Sequence, residues 1–177
     1  MTAPQLSRHT GLEASSLLDG IADVYDEVYS EPPYNSGPLF ARSAFLERTR
    51  SQLGADGFAL VTAEVDGKFA GFSFGFSLGS RWWGGDTSSS PPHEIQKATK
   101  FAVIELVVRR PFRGSGLGSG LLAELLVERS EEYATLLSVP EAPAHAMYER
   151  WNWRTVGTVQ PRADAPVMDA MVKELHS

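Results

Sequence analysis

The stretch Ala102–Arg129, AVIELVVRRPFRGSGLGSGLLAELLVER, decides how the rest of the chain is read. It opens on an apolar, β-branched run that ends in basic residues. Gly114, Gly116, Gly118 and Gly120 follow at alternate positions. Leu117, Leu121, Leu122, Leu125 and Leu126 then recur at helical spacing, with Glu124, Glu128 and Arg129 on the water side. Strand, glycine turn and helix in that order bring free backbone N–H groups and a positive helix end to one place. That place suits an anion.

Three anion-binding templates compete for the turn. A P-loop needs a lysine followed by Ser or Thr at the helix start, and this loop has no lysine. The dinucleotide pattern G-x-G-x-x-G fails because Ser119 or Leu121 falls where its third glycine belongs. The third template, Arg/Gln-x-x-Gly-x-Gly/Ala, is met at every position by Arg113-Gly114-Ser115-Gly116-Leu117-Gly118. Glycines without Cβ atoms let the backbone approach phosphate oxygens closely. The amides of Ser115 and Leu117 extend the nest, and Arg113 adds charge.

Outward from this unit, hydrophobic period assigns the other elements. Before it, Phe58–Val65 and Lys68–Leu78 alternate with period two around Asp66-Gly67, which marks a hairpin. Phe72, Phe74 and Phe76 share one face of its second arm. Earlier still, Glu13–Tyr29 and about Leu39–Leu53 have helical spacing, separated by the breaker EPPYNSGP at 31–38. Residues 1–10 supply a short first strand, and 79–97, with two tryptophans and a Gly/Ser/Pro tract, reads as loop. After the unit come a strand over Tyr133–Val139, a helix from Pro143 to about Trp151, and closing strands over Thr155–Val159 and Val167–Leu175. The expectation is one α/β (α+β) domain over residues 1–177, with a mixed sheet of six to seven strands flanked by about four helices.

At Leu106–Gly118 (LVVRRPFRGSGLG) the chain resembles the cofactor segment of the GNAT superfamily of N-acetyltransferases. Ala144-x-x-x-Tyr148 and the order of strands extend the resemblance. Two positions depart from the family's habit: Asn152-Trp153 stands where Gly-Phe is usual, and Glu141 where Asn is frequent. The resemblance implies a mostly antiparallel sheet and acetyl transfer from acetyl-CoA to a primary amine of a small molecule or peptide, with both substrates bound at once. It implies that backbone groups of Leu106, Val107 and Val108 hold the acetyl and pantetheine end, with the Val108 amide as donor to the acetyl oxygen. Gly114, Gly116 and Gly118, with Arg113, Ser115 and Leu117, then hold the pyrophosphate.

Tyr148 matches the family tyrosine that protonates the departing thiolate. A core tyrosine is the alternative, since Ala144, Met147 and Trp151 share its helical spacing. Glu105 is the candidate general base, as the sole acid in the run Phe101–Val108. It shares a face with Val107, opposite Leu106 and Val108, and faces either the cleft or a solvated edge; relatives also use water. The resemblance assigns the acceptor site to the first two helices and nearby loops. These carry Glu31, Tyr34, Trp82 and Trp83, beside Tyr25, Glu27 and Asp86. Aromatic walls with carboxylates suit a cationic amine.

Composition narrows the rivals. The net charge of −6 disfavours a general nucleic-acid binder. The absence of cysteine removes disulfides, thiolate metal sites and a cysteine acyl carrier. The four histidines lack metal-ligand spacing, so no metal is expected. No apolar run reaches membrane-spanning length and the first residues lack a signal-peptide pattern, which fits a cytoplasmic protein. An exposed edge strand would support a homodimer. A non-catalytic acyl-CoA-binding domain on the same fold is the runner-up. A nucleotide module, with its acid sought at Glu131 or Glu132, is the third reading.

Overall fold

Asp66 and Gly67 both adopt positive φ, 52° and 73°, which closes the hairpin in a turn that matches strand twist. Around it the computed structural model, which describes residues 2–176, builds one eight-stranded sheet. In chain order the elements are β1 (Gln5–His9), α1 (Gly11–Ala14), α2 (Leu18–Tyr29), α3 (Arg42–Gln52), β2 (Ala59–Val65), β3 (Lys68–Gly79), β4 (Asp86–Ser89) and α4 (His93–Lys97). There follow β5 (Lys100–Val108), α5 (Leu117–Leu126), β6 (Tyr133–Ser138), α6 (Pro143–Arg150), β7 (Arg154–Gln160) and β8 (Met168–Glu174). The sheet order is β1-β2-β3-β5-β6-β8-β7-β4, antiparallel except where β5 meets β6.

Eight strands stand against the six to seven expected. The addition is β4, which lies in the segment read as loop and pairs only with β7 at the sheet edge. Its side chains are exposed or half-buried, so it has no hydrophobic alternation to betray it. The helix expected from Glu13 begins instead as a short turn of α1. Thr10 and Glu13 cap it reciprocally, and α2 starts at Leu18. About four helices were expected; α1 and α4 are additional short ones, of four and five residues.

Two hydrophobic layers sandwich the sheet. On one face α5 buries Leu117, Leu121, Leu122 and Leu125 against Val61, Phe101 and Val103, with Tyr148 and Trp153 beside them. On the other, α2 and α3 bury Ile21, Tyr25 and Phe45 against Leu60, Phe72, Phe74 and Val107. Arg129, expected at the water side, lies over the Phe101 ring at 4.1 Å and pairs with Glu131 at 2.8 Å.

Two irregularities of β5 position everything that follows. The first is a bulge. Phe74 pairs with Glu105 and Gly75 with Val103, so Ile104 is an extra residue. Strict alternation from Val103 would turn Glu105 toward α5. With the extra residue, Glu105 faces α2 and α3, while Leu106 and Val108 pack against the α5 layer. The second is a splay. β5 pairs with β6 only from Lys100 to Ala102, and beyond that point the two strands part. No helix among the described residues is long and apolar enough to cross a membrane.

Candidate active site

A cavity of about 390 Å³ opens where β5 and β6 part. Val103–Leu106 and Leu136–Val139 line it from the sheet, α2 and α3 wall it on one side, and α6 brings Tyr148 to it. Glu105 is 8% exposed. Its Oε1 accepts a hydrogen bond from the Tyr29 hydroxyl at 2.7 Å, and Arg48 Nη2 stands 3.9 Å from its Oε2. Burial pushes the Glu105 carboxyl up to about 7, against the opposing pull of Arg48 and of the Tyr29 hydrogen bond. A carboxyl poised there exchanges a proton readily at neutral pH.

Tyr148 is buried on α6 against the rings of Trp151 and Trp153. Burial holds its phenol well above the ordinary tyrosine value, with Tyr34 and Glu105 adding to the effect. It therefore stays protonated, as a proton donor must. Tyr148 is buried in the layer yet lines the cavity, so packing in the core does not remove it from the site.

Along β5 the peptide groups alternate between the two edges of the strand. Arg109 N–H donates to Ala70 O on the β3 side, and Ser73 Oγ donates to Glu105 O on that same side. The N–H groups of Leu106 and Val108 therefore point away from β3, toward the edge left open by the splay. Val107 turns its side chain into the α2 and α3 layer.

The turn after β5 has the geometry its glycines suggest. Gly114 and Gly116 take φ of 80° and 86°, and Gly116 caps α5 in the left-handed conformation. A Cβ added at either would meet nothing within 4 Å, so space over this backbone is open to a ligand. A Cβ at Gly118 would stand 3.5 Å from the Trp151 ring, an ordinary packing distance, so that position does not itself demand glycine. Ser115 Oγ donates to Phe112 O and Ser119 Oγ to Gly116 O, which ties the turn to itself, while Gly114, Ser115 and Gly116 stay exposed. Open, exposed backbone and the start of a ten-residue helix fit a pyrophosphate.

Arg113 makes Nε–H···O=C to Val108 at 2.8 Å and a two-pronged contact to Glu31, 2.9 Å at each prong. Arg113 in turn holds the Glu31 carboxyl below its ordinary value. These two residues, expected on the cofactor and acceptor sides respectively, meet across the rim. Of the expected acceptor residues, Tyr34 and Trp83 line the cavity, whereas Glu31 and Trp82 do not. Burial pushes the Tyr34 phenol up to about 12. Trp83 is pinned by Nε1–H···Oγ1 of Thr135 at 3.0 Å. Trp82 lies against the ammonium of Lys100, 5.9 Å from ring centre to Nζ. Glu27 is bound by Arg109 at 2.8 Å. His145, on α6, hydrogen-bonds Asp169 at 2.8 Å and does not line the cavity.

Four side chains missed in the sequence complete the site. Tyr29 orients Glu105. Arg48 bonds Leu39 O and the Tyr25 hydroxyl, each at 2.8 Å, and Gln52 lines the cavity one turn later with Oε1 unpartnered. The signal for Arg48 was its place three residues after Phe45, on the buried side of α3. Lys100, fully buried, shares its three Nζ–H groups among the carbonyls of Ser80, Ile95, Gln96 and Ala98, at 2.7–3.2 Å. It thereby anchors the segment that carries Trp83. Among the described residues, no three His, Cys, Asp or Glu side chains gather as a metal site would require.

A model of the acetyltransferase (GNAT) family matches residues 19–153. Solved structures with this fold include PH1933 from Pyrococcus horikoshii, at 21% identity and TM-score 0.65, covering 97% of this chain and 98% of that one. The PaiA N-acetyltransferase from Thermoplasma acidophilum, in complex with coenzyme A, has 12% identity and TM-score 0.61, with 98% and 99% covered. The ribosomal-protein-S18-alanine N-acetyltransferase from Escherichia coli has 14% identity and TM-score 0.65, with 99% and 96% covered. At these identities the likeness is one of fold. No curated protein matches the sequence at a significant level.

Proposed function

The chain belongs to the acetyltransferase (GNAT) family, and from that premise we propose that it transfers acetyl from acetyl-CoA to a primary amine of a small molecule or peptide, both substrates being bound at once. The observation that carries this reading is the convergence on one cavity of a buried, protonatable Glu105, the phenol of Tyr148 and the open edge of β5. The strand that ends in that edge leads straight into the glycine turn.

The amides at Ser115–Leu117 and the N-terminus of α5 would hold the pyrophosphate, with Arg113 at the rim. The outward N–H groups of Leu106 and Val108 would bind the pantetheine and acetyl end, Val108 being the donor to the carbonyl oxygen. Acetyl-CoA supplies the activated acyl group. Glu105 Oε2 takes a proton from the ammonium of the acceptor, which arrives charged at neutral pH and must be neutral to attack. Tyr29 fixes the Glu105 carboxylate through Oε1, so Oε2 is the atom turned to the acceptor. Tyr148 Oη holds the proton that the leaving sulfur needs, and the rings of Trp151 and Trp153 pack beside the phenol.

Thiol release from acetyl-CoA over a panel of amines, with acetyl-CoA affinity measured separately, tests the reading. Amine-dependent release is expected. Binding with no release for any amine would mark a sensory domain, and no binding at all would refute the cofactor assignment.

A further inference from the structure

The cavity is apolar and aromatic apart from a few polar groups, and its charges are few. Among the described lining residues Glu105 is the one acid and Arg48 the one base. The carboxylates that would draw a polycation are spent elsewhere. Glu27 is bonded to Arg109, Glu31 to Arg113, and Asp86 lies exposed on β4, outside the cavity. A second ammonium group on the acceptor would find Arg48 and no counter-ion.

Arg48 itself has capacity to spare. Nη1 donates to Leu39 O and Nη2 to the Tyr25 hydroxyl. A guanidinium has five N–H donors, so these two bonds leave Nε–H and one hydrogen on each Nη. Nη2 and Glu105 Oε2 stand 3.9 Å apart, which is beyond hydrogen-bond length. A cation and a carboxyl thus face one another across a gap that no protein group bridges. An α-amino acid carries an ammonium and a carboxylate on one carbon, at the spacing needed to bridge such a gap with a hydrogen bond at either end.

Resting on the acetyltransferase reading, we propose that the acceptor is an α-amino acid with an aromatic or large apolar side chain. Its carboxylate is held by Arg48, its amine by Glu105 Oε2, and its side chain by Tyr34, Phe40 and Trp83. A peptide N-terminus lacks the adjacent anion, because its first carboxyl is an amide, and it would leave Arg48 unanswered. A polyamine leaves Arg48 repelled. The rings of Tyr29, Tyr34 and Phe40 pack on one another at 4.5–5.1 Å between centres, so the apolar wall is rigid and preformed.

Calorimetry on the full chain saturated with coenzyme A, which cannot turn over, tests this. L-phenylalanine, 2-phenylethylamine and 3-phenylpropionate are compared, with leucine, tryptophan and methionine beside their decarboxylated counterparts. At least one amino acid should bind tenfold or more tighter than its amine, the effect of one charge-assisted contact in a shielded site. Arg48→Gln should reduce that preference to less than threefold, and Arg48→Lys should keep part of it. Unaltered coenzyme A affinity shows that a variant is folded, and the wild-type comparison of ligands needs no variant. Equal binding of the amino acids and their amines, or a preference that survives Arg48→Gln, overturns the proposal. If thiol release occurs with polyamines or peptides and with no amino acid, the acceptor class is wrong and the transferase reading stands. If acetyl-CoA does not bind, both fall.

Discussion

Replacing Glu105 by Gln should cost activity and add stability, by amounts that follow from one buried group. Burial raises the folded-state pKa of Glu105 from 4.5 to about 7. Below pH 4.5 the carboxyl is protonated folded or unfolded and imposes no pH-linked penalty. As pH rises from 4.5 to about 7, the unfolded chain releases a proton that the native state still binds. Stability falls across that window and then levels. At 1.36 kcal/mol per pH unit the loss reaches roughly 3 kcal/mol. Gln is nearly the same shape, accepts the Tyr29 hydrogen bond through Oε1, and carries no charge to desolvate. Thermal melts of wild type and Glu105→Gln should coincide near pH 4.5. By pH 8 the variant should melt higher by roughly 6–12 °C, given ~2–4 °C per kcal/mol for a chain of this size. Turnover in the thiol-release assay should fall ~100-fold or more, the usual range for a lost general base. The wild-type rate should rise with pH through about 7, and the variant's residual rate should lack that inflection. Equal melting points at pH 8, or a less stable variant, would refute the claim that burial of this carboxyl is strained. A variant with undiminished turnover would remove Glu105 from the proton path.

Three further perturbations test other parts of the site. Tyr148→Phe should lower kcat ~100-fold while leaving acetyl-CoA affinity within about twofold, since the phenol is proposed to act on the leaving sulfur and not in binding; unchanged kcat when chemistry limits the rate would return it to packing. Gly116→Glu should abolish acetyl-CoA binding in calorimetry, both by repelling phosphate and by straining a position at φ 86°; wild-type affinity would displace the cofactor from the turn. Lys100→Met should destabilise the chain by ~3 kcal/mol in denaturant titration, because it takes the donor from four carbonyls, those of Ile95 and Ala98 being buried. The same variant should become open to proteolysis over residues 80–98, and resistance equal to wild type would refute the anchor.

What could be read from sequence was what local chemistry dictates. Asp66-Gly67 signalled a tight turn, and the glycines at 114 and 116 signalled a backbone that a phosphate could approach. The leucines of α5 could only face a core. Glu105 stood out because an acid in an apolar run needs an explanation. Its partners could not be read, since Tyr29 and Arg48 lie 76 and 57 residues away and meet it only through packing of α2 and α3 on the sheet. The bulge at Ile104 was hidden too: a β-branched residue looks the same inside or outside a ladder. Trp82 and Trp83 are neighbours in the chain but part company in space, one to Lys100 and one to the cavity. Glu31 looked like an acceptor ligand because nothing local announces an arginine partner far along the chain.

The anchor at Lys100 bears on how such a site can change its preferences. It grips the segment carrying Trp83 through main-chain oxygens of Ser80, Ile95, Gln96 and Ala98. Main-chain oxygens are common to all amino acids, so the attachment itself does not depend on the letters at those positions, and the exposed Ser80 and Gln96 are free to vary while it persists. One wall of the proposed acceptor cavity is therefore a replaceable panel on a fixed hinge-pin. A library that randomises residues 81–84, with Gly85, β4 and Lys100 retained, would explore new acceptors without dismantling the sheet. One that also randomises Lys100 would spend its members on chains that no longer hold the panel in place.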